Sequence, residues 1–167
     1  EDSAHTLPGQ YKQQMIGTLE SDVTVFSFYA NKTITTGDGG MLVTRNNDLA
    51  ERCRAMRLHG INRDVFARSA SDKPSWFYEV IAPGYKYNMT DIAASIGIHQ
   101  LKKADLFQQQ REKQAFTYLR ELADLPLQMP VAAPQDWQHS WHLFVIRINK
   151  DAPVSRNEFI EKMAENN

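Results

Sequence analysis

Residues 23–44 read VTVFSFYANKTITTGDGGMLVT and carry the clearest structural signals of the sequence. Its first six residues are β-branched, aromatic or serine, without Gly or Pro, which predicts a strand. Glycines and short polar side chains then predict a loop, and residues 41–44 predict a second, short strand. Lys32 therefore stands in a loop directly after a strand. Ligands of α/β sheets bind at such strand ends, although most lysines are simply solvated surface residues.

The remaining patterns predict helices, loops and one more strand. Asn47 or Asp48 can cap a helix over residues 49–58, which Gly60 can end, and Cys53 on its apolar face is expected to be a small buried hydrophobe. The later patterns predict an irregular loop (61–87), a long helix capped by Thr90 or Asp91 that bends near Asp105 and runs to Leu122, a strand (142–148) and a helix that begins in a capping box of Ser155 and Glu158. Strands that alternate with helices indicate an α/β architecture.

The composition excludes several classes of protein. The 167 residues carry 19 basic and 20 acidic side chains, so a net charge of −1 gives no long-range attraction to nucleic acid or to an anionic membrane. The apolar stretches are strand-sized and follow no charged leader, so we expect neither a signal peptide nor a membrane span. The single cysteine excludes an internal disulfide and suits the reducing cytoplasm. Because the sequence starts without Met and ends after an amphipathic segment, we expect a fragment of a longer chain.

Five blocks of sequence, in a fixed order, carry a resemblance to a known family. They are EDSAH (1–5), FSFYANK (26–32), TGDGGM (36–41), PGYKYNMTDI (83–92) and SWHLF (140–144). Together they resemble the DegT/DnrJ sugar aminotransferases, a branch of the fold type I enzymes that use pyridoxal 5′-phosphate (PLP). The resemblance covers nearly the whole chain and implies an α/β, aspartate aminotransferase-like fold. It implies that residues 1–122 form the end of the large PLP-binding domain and residues 123–167 the beginning of the small C-terminal domain.

Four residues in the first two blocks are implied to serve PLP. Lys32 would hold the cofactor as a Schiff base and act afterwards as a general acid/base. Asp2 would pair with the pyridine nitrogen, although Ser3 stands where the family has Ala and a terminal carboxylate could simply be solvated. His5 would touch the cofactor ring or the substrate, or be an ordinary half-buried histidine. Ser27 would donate its hydroxyl to the phosphate, or be a small polar group tolerated in a strand.

The fourth block bears on the partner and on the substrate. Lys86 stands where most of the family has Asn, and Lys86 or Asn88 would reach the phosphate of the neighbouring subunit's PLP. The resemblance therefore implies a homodimer with shared active sites. With lysine at this position, the block resembles that of the family branch that aminates a UDP-linked 4-keto-pentose for lipid A modification.

The resemblance implies transfer of an amino group from L-glutamate, which leaves as 2-oxoglutarate, to a keto group of a nucleotide-linked sugar. His59, Arg63 and Arg68 in the long loop are candidate contacts of the diphosphate, but nothing in the sequence assigns them. The nearest alternative is a PLP-dependent sugar dehydratase of the same family, and Lys32 argues against it because those enzymes carry His there. A non-catalytic or regulatory protein of the same fold is the other alternative. We expect the isolated 167-residue chain to be inactive and marginally stable.

Overall fold

The computed structural model describes residues 1–62, 74 and 76–166, and Arg63 and Arg68 lie outside these residues. Within them the chain forms six short strands and four helices. In chain order they are β1 (Gln10–Tyr11), β2 (Gln14–Met15), β3 (Thr24–Ser27), β4 (Gly40–Val43), α1 (Asn47–Met56), α2 (Asp91–Leu101), α3 (Ala104–Glu121), β5 (Leu127–Gln128), β6 (Arg147–Ile148) and α4 (Arg156–Glu165).

The strand pair β3–β4 is the element from which the candidate site is built. The two strands are antiparallel, with Ser27 opposite Gly40. The start of the chain runs parallel beside β3 with Asp2 opposite Val25, and the amide of Ser3 donates a hydrogen bond of 2.8 Å to the carbonyl of Val25. The predicted order of strand, loop and short strand is confirmed, and β3 is two residues shorter than the apolar run that predicted it.

A hairpin that the sequence pattern did not predict joins the chain start to the proline-rich segment. β1 and β2 are antiparallel and are connected by Lys12 and Gln13, whose φ angles are 49° and 63°. Positive φ at both central residues gives the backbone the twist that a two-residue hairpin requires. Gln10 and Gln138 exchange backbone hydrogen bonds of 3.1 and 2.9 Å, so the hairpin brings the beginning of the chain to the region that follows α3.

Helix α1 begins and ends two residues earlier than the predicted span of 49–58. The side chain of Asn46 accepts a hydrogen bond of 3.0 Å from the amide of Leu49 and is the N-cap. The predicted cap at Asn47 or Asp48 is therefore wrong, because several consecutive polar residues offer equivalent caps to a sequence pattern. Gly60 closes the turn after the helix with a φ of +71°, in a left-handed conformation that favours glycine.

The boundaries of the later helices follow local capping chemistry. Thr90 caps α2, as predicted. The break between α2 and α3 falls at residues 102–103, slightly before the bend expected near Asp105. Ser155 and Glu158 form the predicted capping box, in which each side chain accepts a hydrogen bond from the other residue's amide.

The strand predicted over residues 142–148 is much shorter in the structure. The prediction rests on the apolar, β-branched run HLFVIRI, which contains neither Gly nor Pro. Only β6 is paired, antiparallel to β5. A strand needs a neighbour with which to share hydrogen bonds, and among the described residues the neighbour is only two residues long. The bulky Trp141 just before it has a φ of 50°, which breaks the extended backbone.

The buried apolar side chains are few and are distributed over β3, the turn after it, α1, α3 and the turn at residue 141. These side chains are Phe26, Ile34, Ala55, Ala104, Ala115 and Trp141. Cys53 is half-buried, so its expected full burial is wrong. Helix α2 buries none of its side chains, and Ile92 on it is 78% exposed. Of the helices that the structure describes, none is long and apolar enough to cross a membrane.

Candidate active site

Asp2 and Ser27 lie on one face of the sheet formed by the chain start and β3. Asp2 is opposite Val25, and Ser27 follows Val25 by two residues, so alternation directs the three side chains to the same side. This face is open, since Val25 is 45% exposed, whereas Phe26 on the opposite face is buried. A carboxylate and a hydroxyl thus flank an exposed apolar side chain.

Lys32 stands in a tight turn directly after β3. The amide of Lys32 donates a hydrogen bond of 3.0 Å to the carbonyl of Tyr29, and the amide of Thr36 donates one of 3.0 Å to the carbonyl of Phe28. Ile34 anchors the turn in the core with 4% of its surface exposed. Lys32 itself is half-buried. The structure therefore gives this lysine a fixed backbone and a partly shielded side chain at the end of β3.

His5 pairs with His142, a histidine to which the sequence reasoning assigned no role. The two ring centroids are 4.5 Å apart, with the planes tilted by 54°. Burial, and then the positive charges of His5, Lys32 and Arg111, lower the pKa of His142 below its ordinary value. Lys32 therefore lies within electrostatic reach of the histidine pair. The sequence signal for His142 was its place in the SWHLF block.

Behind the histidine pair, a polar network on α3 holds residues 139–140. Gln108 is 2% exposed, and its Nε2 donates a hydrogen bond of 2.6 Å to the carbonyl of His139. Arg111 donates from Nε to the carbonyl of Ser140 at 2.8 Å and from Nη2 to Oε1 of Gln108 at 3.0 Å. Burial lowers the pKa of Arg111, but its ordinary value is so high that the guanidinium stays charged.

Lys86 and Asn88 lie on a segment held against the end of α1. Leu58 and Lys86 form an antiparallel bridge, and the amide of Tyr87 donates a hydrogen bond of 2.8 Å to the carbonyl of Arg57. Nζ of Lys86 donates to Oδ1 of Asn88. Lys86 is exposed and Asn88 is half-buried. The structure therefore brings these two candidate side chains to each other and leaves the Lys86 ammonium on an exposed surface.

Two glycines allow this segment to approach α1 so closely. A Cβ at Gly84 would lie 2.0 Å from the amide nitrogen of Gly60, and a Cβ at Gly60 would lie 1.8 Å from the carbonyl oxygen of Ala82. Neither position accepts a side chain without displacing backbone, so the two backbones are in direct contact. His59, the remaining candidate contact of a diphosphate, precedes Gly60 and is exposed.

A cleft of about 620 Å³ opens beside the histidine pair. His5 and His142 line one part of it, and the edge-to-face rings of Tyr11 and Trp137, 4.6 Å apart, line another. Its volume is in the range of small-molecule sites, and most of its lining is apolar. In the part of the chain that the structure describes, no three His, Cys, Asp or Glu side chains meet as a metal site would require.

The fold and the site define a class of protein. The chain has the fold of part of a type I PLP-dependent transferase: a structure of Spr1654 from Streptococcus pneumoniae in its PMP form matches it with a TM-score of 0.86 and 31% identity, over 99% of this chain and 42% of that one. The chain belongs to the DegT/DnrJ/EryC1/StrS aminotransferase family, whose model matches residues 1–167. The resemblance found in the sequence is thereby confirmed.

Two curated relatives match nearly the whole chain. Protein MJ1066 of Methanocaldococcus jannaschii, which is uncharacterized, is 48% identical over 168 residues, which cover 100% of this chain and 43% of that protein. The spore coat polysaccharide biosynthesis protein SpsC of Bacillus subtilis is 44% identical over 161 residues, covering 96% of this chain and 41% of SpsC. The chain therefore spans about two fifths of the length of these relatives.

Proposed function

We propose that the protein containing this chain is a PLP-dependent aminotransferase that moves an amino group from L-glutamate to a keto group of a nucleotide-linked sugar. The observation that supports the proposal is that Lys32 stands in the turn directly after β3, and that Asp2 and Ser27 lie on the open face of the sheet to which β3 belongs. SpsC acts in polysaccharide biosynthesis and Spr1654 has a PMP form, which supports a sugar substrate and this cofactor.

The side chains around β3 fit the chemistry of PLP. An exposed apolar side chain, Val25, gives a surface on which an aromatic ring can lie. The carboxylate of Asp2 on one side is suited to a protonated pyridine nitrogen, and the hydroxyl of Ser27 on the other to a phosphate. The amine of Lys32 is suited to the aldehyde. These four residues would hold the cofactor, which when bound supplies a ring that accepts electrons from the amino donor.

In this proposal Lys32 carries the cofactor and then moves protons. Its amine takes a proton from the α-carbon of L-glutamate, which requires a position close to that carbon and partial shielding from water. The half-buried Lys32 meets the second condition. His5 and His142 pack against each other, and burial together with the nearby positive charges lowers the pKa of His142, which favours the neutral form of that ring.

The substrate and the partner subunit are the finer parts of the proposal. A nucleotide diphosphate requires cations, and the candidates are His59, Arg63 and Arg68, of which the structure describes the exposed His59. We favour a UDP-linked 4-keto-pentose and a cytoplasmic homodimer in which Lys86 and Asn88 reach the partner's cofactor phosphate, in a pathway of lipid A modification. A PLP-dependent sugar dehydratase remains the alternative reaction, and Lys32 disfavours it. A non-catalytic or regulatory member of the same fold is the alternative from another class.

The first experiment compares Lys32→Ala with Lys12→Ala in the protein at its full natural length. Lys12 lies in the β1–β2 turn, so Lys12→Ala is the control. With PLP added, the wild type and this control should show a visible absorption band. Borohydride should remove the band and leave the reduced cofactor attached to Lys32. Lys32→Ala should lack both the attachment and the transfer of an amino group from L-glutamate to a UDP-linked 4-keto-pentose. Attachment to another lysine, or full transfer by Lys32→Ala, would refute the assignment. Attachment without transfer to any nucleotide-linked keto sugar would favour the non-catalytic alternative.

The second experiment tests the shared active site by mixing two inactive variants. Subunits with Lys32→Ala and subunits with both Lys86→Ala and Asn88→Ala are combined and allowed to exchange. In a two-fold dimer with shared sites, half of the dimers are mixed and each contains one intact site, so activity should recover to about one quarter of the wild type. If the three residues serve the same subunit, the mixture stays inactive.

A further inference from the structure

The turn at residues 139–141 has an unfavourable backbone. Trp141 has a φ of 50°, in the left-handed region that bulky side chains seldom occupy. Its side chain is 7% exposed and its ring contacts those of Phe116, Phe144 and His139, with centroids 6.5, 5.9 and 4.4 Å away. Such a conformation persists only where the surrounding structure determines it, and strained residues cluster at functional sites.

The contacts that determine this turn come from one face of α3. Gln108 and Arg111 are one helical turn apart, and together they hold the carbonyls of His139 and Ser140, the two residues just before the strained one. The hydrogen bond between Arg111 and Oε1 of Gln108 fixes the orientation of the amide, so that its NH₂ group faces the carbonyl of His139. Gln108 is 2% exposed, whereas Arg111 is half-buried, so the network lies partly shielded from solvent with Gln108 at its most buried point.

The turn at residues 139–141 also contacts the backbone beside the histidine pair. The hydroxyl of Ser140 donates a hydrogen bond to the carbonyl of His5, and Nδ1 of His139 accepts one of 2.8 Å from the amide of Trp141. The backbone on both sides of the pair is therefore tied to the same turn. His142 follows Trp141 directly, and its ring lies 4.5 Å from that of His5.

We propose that Gln108 and Arg111 are positioning residues, which hold the turn at 139–141 in its strained form and thereby place His142 against His5 beside Lys32. Neither residue is required to touch substrate or cofactor. The inference rests on the proposed function only in giving His5 and Lys32 a place in the active site. The geometry itself can be tested without cofactor.

The test uses Gln108→Met in the protein at its full natural length, with labelled histidine and without PLP. Methionine keeps the length of the side chain but removes both hydrogen bonds of the amide. We expect loss of the nuclear Overhauser cross-peak between the rings of His5 and His142, and a rise of the His142 pKa toward its ordinary value as the ring leaves its partly buried position. Gln109→Met, the same change at the exposed neighbouring position, should alter neither.

A folded Gln108→Met protein that keeps both the cross-peak and the lowered pKa would overturn the proposal, because the variant would then have lost only stability. If Gln108→Met does not fold, the same cross-peak is measured in Arg111→Lys. Lysine retains the positive charge near His142 but cannot hold the carbonyl of Ser140 and Oε1 of Gln108 together. Loss of the cross-peak in this variant supports the proposal and its retention refutes it. Failure of the proposed reaction would appear separately, as an absence of PLP attachment to Lys32.

Discussion

The contact between Gly84 and Gly60 predicts an unusually costly substitution by a single methyl group. In Gly84→Ala the new Cβ would lie 2.0 Å from the Gly60 nitrogen, where ordinary contact begins at 3.4 Å, so the two backbones must separate by about 1.4 Å. The contact lies within a ladder in which the amides of His59, Tyr85 and Tyr87 donate hydrogen bonds of 2.7 to 2.8 Å. A separation of that size breaks them. At about 1 kcal/mol each, the loss is about 3 kcal/mol of unfolding free energy.

The assay is chemical denaturation of the full-length protein, together with hydrogen exchange at the amides of Tyr85 and Tyr87. Gly37→Ala is the control, because nothing lies within 4 Å of the added Cβ and only the φ of +83° opposes it, at about 1 kcal/mol. We expect the amides of Tyr85 and Tyr87 to lose protection in Gly84→Ala and to keep it in Gly37→Ala. If the unfolding free energy of Gly84→Ala lies within about 0.5 kcal/mol of the wild-type value and both amides stay protected, the predicted steric clash is refuted.

Two further predictions concern β3 and α4. Phe26→Ala should lower the unfolding free energy by about 3 kcal/mol because it removes a buried ring. Val25→Ala, on the open face, should lower it by less than about 1 kcal/mol. Similar losses for the two variants in chemical denaturation would contradict the assignment of faces. Hydrogen bonds from the backbone and side chain of Ser155 lower the pKa of Glu158, so that its contribution to stability is present above the ordinary pKa and is lost as pH falls through the lowered one. Ser155→Ala removes the side-chain bond and keeps the backbone one, so it should lower the denaturation midpoint at neutral pH and flatten the acid dependence only in part. Glu158→Gln cannot ionise and should remove the contribution of this residue, and a pH profile unchanged in Glu158→Gln would show that the capping box does not contribute.

Features that depend on neighbouring residues were predictable from the sequence. Thr90 and the Ser155–Glu158 box cap their helices through contacts three residues apart, so the pattern contains the whole interaction. The placement of Lys32 after β3 was predictable for the same reason, since the strand and the turn are contiguous. The family blocks extended this to Asp2 and Ser27, although their roles toward a cofactor stay predictions.

Features that depend on distant residues were not predictable. The β1–β2 hairpin was missed because Lys12 and Gln13 lack the Gly or Asn that usually indicates such a turn. Residues 142–148 resembled a long strand because they are mostly apolar and β-branched, but pairing depends on a partner that the segment itself does not contain. His142 had no assigned role, because its ring contact is with His5, at the other end of the chain, and no local pattern contains both residues.

The hydrogen bond between Ser140 and the carbonyl of His5 joins positions 135 residues apart. Because the ribosome adds about 5–20 residues each second, Ser140 is synthesised roughly 7–27 s after His5. The β3–β4 pair and the turn of Lys32 can form long before that moment. The lysine side of the site can thus form first, and the histidine side is completed only after Ser140 has been made and has returned to His5.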